Sequence, residues 1–235
     1  MAPAITVHWL DDSRAQRILW LLEELGLEYD VKRYARDATT NLAPKELQEA
    51  HPLGKSPVVV ITDGAHSITL AESGAIAEFL IERYGQGKLF VPADTLNFQA
   101  RADYLYWMHY AEGSAMLPLM LSIVFAKMPK SAPWFLRPVV QTIATGATTG
   151  FVMPRLKQHF AYIDQALQGK EYFVDGKLTG ADIMMSFIAE GLFATPLSAD
   201  GYPNIKRWHA AMEQRELYQV AEKKGGKNDM GRFTR

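Results

Sequence analysis

Strand and helix signals alternate along the first eighty-five residues, and then strand signals cease. That one-way change limits the folds open to the chain more than any other feature. Ile5–Trp9 is β-branched and aromatic and predicts a short strand. Ser13–Leu25 follows, with Ala15, Ile18, Leu19, Leu22 and Leu25 on one helical stripe. It opens on the capping-box pattern Ser13-x-x-Gln16 and stops at Gly26. Tyr29–Tyr34 predicts a second strand, and Pro44–Ala50 a short helix with proline in its first turn. Pro57–Ile61 and Ser67–Leu70 flank the turn Thr62-Asp63-Gly64 and predict a hairpin. Glu72–Tyr84 predicts a helix that ends near Gly85 and Gly87. The order βαβ, short helix, ββα implies an α/β unit over residues 1–85, a mixed sheet with helices on both faces.

Residues 86–96, with Gly87, Pro92 and Asp94, lose periodicity and are expected to form a linker. Residues 97–235 then read as an all-α domain. Helices are predicted at Asn97–Gly113, Arg155–Leu167, Thr179–Ala194 and Asn204–Glu213. Pro118, Pro129, Pro133 and Pro138 are expected to break helix across residues 118–138. Thr179-Gly-Ala-Asp182 is a capping box, with Leu178 and Ile183 placed as a hydrophobic staple. The basic run Lys223-Lys224-Gly-Gly-Lys227 reads as a mobile tail.

Composition removes several chemistries. A formal net charge of −1 gives no bulk attraction to nucleic acid or anionic membrane, and 48% apolar residues exclude general disorder. The chain has no cysteine, so disulfides, thiolate zinc sites and cysteine nucleophiles are excluded. The six histidines show no metal-ligand spacing, and no metal is expected. Met116–Met128 is too short for a membrane span, and residues 134–154 are interrupted by Arg137, Gln141 and a Thr/Gly run. No transmembrane segment is expected, and the apolar 116–153 stretch is expected to roof a hydrophobic pocket. With no signal-peptide pattern at the N-terminus, the expectation is a soluble cytoplasmic protein.

Three local signals carry chemistry. Ser13 sits at a strand-to-helix turn, where its hydroxyl either caps the helix or joins the free N–H groups in holding an anion. Lys55-Ser56-Pro57 enters a strand at a proline. A cis Ser56–Pro57 bond would turn the Ser56 backbone outward to pair with an extended peptide, and a trans bond would make it an ordinary strand end. Glu72-Ser73 at a second helix start is either an acidic first turn or a binding pair for an ammonium and a carboxylate.

Taken with their order, the stretches SRAQRILWLLEELGLEY, HPLGKSPVVV, LAESGAIAEFLIERYG and YLYWMHYAEGS resemble the glutathione transferase superfamily over nearly the whole chain, in particular a cytosolic class found in fungi and bacteria. The resemblance implies a thioredoxin-like N-terminal domain that holds glutathione and a helical C-terminal domain that lines an electrophile pocket. It implies that Ser13 contacts the glutathione sulfur, as in serine-type classes. Lys55 would meet a glutathione carboxylate, Ser56 and Pro57 the cysteinyl part, and Glu72 and Ser73 the γ-glutamyl group. Tyr106, Tyr110 and Met116 fall where the family places its electrophile pocket. Ser56 stands where valine is more usual, and His51 where asparagine is common.

Glutathione is then a co-substrate, with no permanently bound cofactor. The implied partners are small hydrophobic electrophiles or peroxides and a second copy of the chain in a homodimer. The implied activity is thiolate attack on the electrophile, with glutathione-dependent peroxidase activity at the same site. The alternative is a catalytically silent ligand-binding or regulatory protein. A thiol with a pKa near about 8.5 is only a few per cent ionised at neutral pH, and lowering it by about two units needs about 2.7 kcal/mol. One hydroxyl donor to an anion supplies about 1.5–3 kcal/mol and a helix terminus several tenths more.

Overall fold

The computed structural model describes residues 2–226. Its first half is a four-stranded sheet in the order β2-β1-β3-β4. β1 (Ala4–Leu10) runs parallel to β2 (Asp30–Tyr34), from Thr6 opposite Asp30 to Leu10 opposite Tyr34. α1 (Gln16–Leu25) makes the crossover that a parallel pair requires. β3 (Val58–Asp63) and β4 (His66–Ala71) form the antiparallel hairpin. α2 (Leu47–Ala50) precedes that hairpin and α3 (Ser73–Tyr84) follows it.

Side-chain alternation along β1 gives the sheet two buried faces. Ile5, Val7 and Trp9 join the main core with α1 and α3, whereas Leu10 packs with Tyr34 and Leu47 of α2 in a small second cluster. This is the thioredoxin-like arrangement expected of the N-terminal half. Residues 86–96 are held rather than loose. Gly180 N–H donates to Leu89 O at 2.8 Å, Arg101 donates to Val91 O at 2.7 Å, and Leu89 and Val91 are buried.

The second half is helical: α4 (Phe98–Tyr110), α5 (Met116–Ser131), α6 (Arg137–Ala147), α7 (Met153–Ala166), α8 (Gly180–Phe193), α9 (Pro203–Glu213) and α10 (Glu216–Gly225). α8 lies at its centre, buried at almost every position. One hydrophobic cluster runs from Ile5 to Ala221 through both halves.

Three local expectations need correction. Residues 118–138 are mostly helical, because Pro118 does not break the run. A π-turn at Ala111–Ala115 joins α4 to α5, with the Met116 N–H reaching back to Ala111 O. That wider turn sits just upstream of Pro118, where a ring would otherwise crowd the preceding carbonyl. The break comes instead at Ala132, which is extended before Pro133. The continuous Phe98–Ser131 run is long and apolar enough to cross a bilayer by length and composition. Its α4 part instead buries Tyr104, Trp107, Met108 and Tyr110 within the domain.

Second, the Ser13–Gln16 box does not form. Gln16 Oε1 accepts from Trp9 Nε1 at 3.2 Å, so its side chain is not available to Ser13, and α1 begins only at Gln16. Third, Lys223, Lys224 and Gly225 are the last turn of α10, which packs along α1. Gly225 has no Cβ because one would collide with Gln16 Oε1 and Leu19 Cδ1. Lys224 pairs with Glu23 at 2.7 Å and covers the Tyr29 ring. Lys227 lies outside the described residues.

The predicted Thr179 box is formed at the start of α8. Asp182, fully buried, accepts from Thr179 N–H at 2.9 Å, Thr179 Oγ1 at 3.1 Å and Phe173 N–H at 3.0 Å. Burial pushes its carboxyl up to about 6, against these three bonds that favour the ionised form. Asp182→Ala orphans two buried N–H groups at once and should cost about 2–4 kcal/mol in urea unfolding. A loss below about half a kcal/mol would show that the box does not hold α8.

Candidate active site

β1 and α1 meet at a turn that contains Asp12, in the left-handed region at φ 47°, and Ser13, which is buried. Ser13 Oγ accepts from the Ala15 N–H at 3.2 Å and lies 3.3 Å from Ser56 Oγ. Ser56 is itself fully engaged: its hydroxyl donates to His8 O at 2.9 Å and accepts from Leu10 N–H at 3.2 Å. With the Ser56 proton spent on His8, Ser13 must supply the proton in the contact between the two hydroxyls. That bond is long, so moving the Ser13 proton to a better acceptor gives up little.

The Ser56–Pro57 bond is cis, and the β1–β3 pairing ends at His8 opposite Val58, leaving the Ser56 main chain outside the ladder. Glu72 precedes α3 with φ 69° and ψ 118°, a strained conformation for a residue with a side chain. Together Lys55, Ser56, Pro57, Glu72 and Ser73 line one narrow cleft, joined there by Arg14, His51 and Leu53. Lys55 and Glu72 are exposed at its rim, while Ser56, Pro57 and Ser73 are buried. The positive end of the α3 dipole therefore faces a cleft that carries cations, a carboxylate and hydroxyls together.

The three second-substrate candidates are not gathered into one cavity. Tyr106 lines a cleft of about 580 Å³ with Trp107, Tyr162 and Lys170. Tyr110 is buried and bonded to His159 Nδ1 at 2.5 Å. Met116 lines a small apolar cavity with Leu119, Phe187 and Gly191. Burial and Tyr162 push the Tyr106 phenol up to about 12, and burial raises Tyr110 as well, so both stay neutral. Next to the Met116 cavity, Phe125, Ala144, Met153 and Phe193 line a cleft of about 550 Å³ between α5, α6 and α8. Among the described residues, no three His, Asp or Glu side chains gather as a metal site would need.

Residues 13–83 match the family model "Glutathione S-transferase, N-terminal domain", and residues 127–216 match "Glutathione S-transferase, C-terminal domain". The chain is 35% identical to glutathione S-transferase 1 of Saccharomyces cerevisiae, over 94% of this chain and 95% of that one. It is 34% identical to glutathione S-transferase 3 of Schizosaccharomyces pombe, over 98% and 91% respectively. A solved glutathione S-transferase from Actinobacillus pleuropneumoniae superposes with a TM-score of 0.77 at 33% identity, covering 97% of this chain and 96% of that one. The chain belongs to the glutathione S-transferase family.

In this glutathione transferase, one acidic residue ties the cleft to the helical half. Glu112, in the π-turn, pairs with Arg14 at 2.6 Å and with the buried Arg17. Arg17 also donates to Met184 O at 2.8 Å. Sequence reasoning did not single out Arg14 or Glu112. A signal was present, since Glu112 is the only acidic residue between Asp103 and Asp164.

Burial works to raise the Glu112 carboxyl, but Arg17 and Arg14 overcome it and hold it below the ordinary range. A depressed carboxyl contributes stability above its unfolded pKa and loses it as pH falls through the folded value. Glu112→Gln should therefore destabilise the transferase at pH 7 by about 2–4 kcal/mol in urea unfolding. The gap to the parent should narrow as both are acidified below about pH 4. A gap independent of pH would mean that lost packing, not charge, explains the effect.

Proposed function

We propose that this transferase activates glutathione as a thiolate through Ser13 and delivers it to small hydrophobic electrophiles. The supporting observation is the convergence of Lys55, Ser56, Pro57, Glu72 and Ser73 on one cleft whose floor adjoins Ser13. Lys55 meets a glutathione carboxylate, and the Ser56 main chain pairs with the cysteinyl residue. Glu72 takes the γ-glutamyl ammonium, while Ser73 and the α3 N-terminus take its carboxylate. Ser13 turns its proton from Ser56 Oγ to the sulfur when the thiol ionises, and the thiol proton leaves to solvent. The thiolate then forms a carbon–sulfur bond as a leaving group such as halide departs with its electron pair. With a hydroperoxide, the thiolate instead attacks the terminal oxygen, forming a sulfur–oxygen bond as the oxygen–oxygen bond breaks. The alkoxide takes a proton and leaves as alcohol, and the sulfenic acid so formed condenses with a second glutathione to give the disulfide and water.

Ser13→Ala should lower turnover with an aromatic halide about ten-fold or more at pH 6.5, and much of the loss should return at high pH, where the thiol ionises unaided. Glutathione affinity should change little, because the rest of the cleft remains. Ser13→Thr keeps a hydroxyl and should retain more activity than Ser13→Ala. A pH profile of Ser13→Ala parallel to that of the parent would refute the assignment.

We infer a homodimer as well, with α4 against the partner's N-terminal domain. Leu96 and Phe98 are nearly fully exposed where α4 begins, and Leu105 and Tyr106 are partly exposed further along it. Sedimentation should give about twice 26.4 kDa at micromolar concentration. A monomer there would contradict this arrangement.

A further inference from the structure

Between the end of β1 at Leu10 and the start of α1 at Gln16 the chain lies in neither element, and this turn carries Ser13. Asp11 N–H still donates to Tyr34 O at 3.2 Å, and beyond that bond the turn leaves the sheet. One guanidinium takes hold of it there. Arg36 Nε donates to Asp11 O at 2.8 Å, one terminal nitrogen donates to Asp12 O at 3.3 Å, and the other donates to Asn41 O at 3.2 Å. Asp12 stands at φ 47°, a left-handed conformation that a residue with a side chain seldom adopts without support from its surroundings. Arg36 has a firm base of its own. The segment 37–42, between β2 and α2, is closed on itself: Asp37 N–H donates to Leu42 O at 3.0 Å, and Asn41 N–H donates to Asp37 O at 2.8 Å. Asp37 Oδ1 accepts from Thr39 N–H, Thr40 N–H and Thr40 Oγ1 at 3.0, 2.7 and 2.8 Å. A planar fork of donors spans three carbonyls from two segments in this way, and the single nitrogen of a lysine does not.

We propose that Arg36 is a positioning residue for the thiolate chemistry: by holding the Asp11 and Asp12 carbonyls, it sets where the Ser13 hydroxyl stands relative to the sulfur of bound glutathione. The proposal rests on the reading of Ser13 as the donor to that sulfur. The Ser13 hydroxyl has only long contacts of its own, 3.3 Å to Ser56 Oγ and 3.2 Å from the Ala15 N–H, so its position follows the backbone that carries it. A hydrogen bond to an anion weakens steeply as it lengthens or bends. A small relaxation at Asp12 therefore costs the ionised sulfur part of its advantage over the thiol. The described residues that line the cleft include Arg14 and Lys55 but not Arg36, so the effect of Arg36 passes through the turn rather than through contact with the tripeptide.

The test is the ionisation of glutathione bound to the full chain, followed by thiolate absorbance in the parent, Ser13→Ala, Arg36→Lys and the double variant. Arg36→Lys keeps the positive charge and loses the fork. It should raise the pKa of the bound thiol by about half a unit to one unit. Turnover at pH 6.5 should fall about three- to ten-fold and recover at high pH, with the KM for glutathione within about two-fold of the parent. Because Arg36 acts through Ser13, the double variant should match Ser13→Ala rather than sum the two shifts. Parental ionisation in Arg36→Lys would overturn the proposal, even if the variant is weaker in urea, since Arg36 would then serve the fold or act by charge alone. Shifts that add in the double variant, or a loss confined to glutathione affinity, would overturn it too, because Arg36 would then act on the tripeptide directly. If Ser13→Ala itself leaves the thiol unmoved, the reading of Ser13 fails and this proposal with it. Should Arg36→Lys not fold, Asp37→Ala, at the exposed base of the same clamp, carries the test. A rise in the thiol pKa that is absent in the Ser13→Ala background supports the proposal, and no rise overturns it.

Discussion

A buried guanidinium must find its counter-charge inside the fold, and in this chain that demand fixes how the two halves meet. Arg17 rises from α1 of the thioredoxin-like half, is 2% exposed, and is answered by Glu112 and Met184 O of the helical half. Its guanidinium also stands 5.7 Å from the centre of the Phe187 ring. Glu112 is shared with Arg14, whose side chain edges the cleft. The ion pair therefore does more than join two halves, since the wall of the cleft is set by a residue of the other half.

The remaining contacts between the halves make that junction rigid. α10 runs along α1, with Tyr218 edge-on to Trp20 at 5.1 Å and Arg215 paired with Glu24 at 2.9 Å. Trp9 reaches α1 through Gln16, which stands beneath Gly225. The turn that carries Ser13 is thus pinned on one side by Ser56 and on the other by a helix packed from both directions. Such support suits the role proposed for Ser13, whose hydroxyl would then be positioned before substrate arrives.

Much of this was legible in the sequence because the signals were local. β-branched runs gave β1 and β3, an apolar stripe gave α1, and the box at Thr179 gave the start of α8. That Lys55-Ser56-Pro57 and Glu72-Ser73 share one cleft, with Ser13 beside Ser56, was legible only through the order of the motifs and the family resemblance it carries, since no single signal points there. What escaped depends on partners distant in sequence. Pro118 reads as a breaker until the π-turn before it is known. Gln16 reads as a cap partner until Trp9 is placed beside it. Lys223 and Lys224 read as a tail, because the packing of Gly225 on α1 leaves no trace in composition.

The proposed chemistry depends on the cleft holding the sulfur of bound glutathione as an anion. Ultraviolet difference absorbance of the parent protein saturated with glutathione, titrated from pH 5 to 10, reports the thiolate directly. The bound thiol should ionise about one to two pH units below free glutathione. An ionisation that coincides with the free thiol, in a protein shown to be saturated, would contradict it.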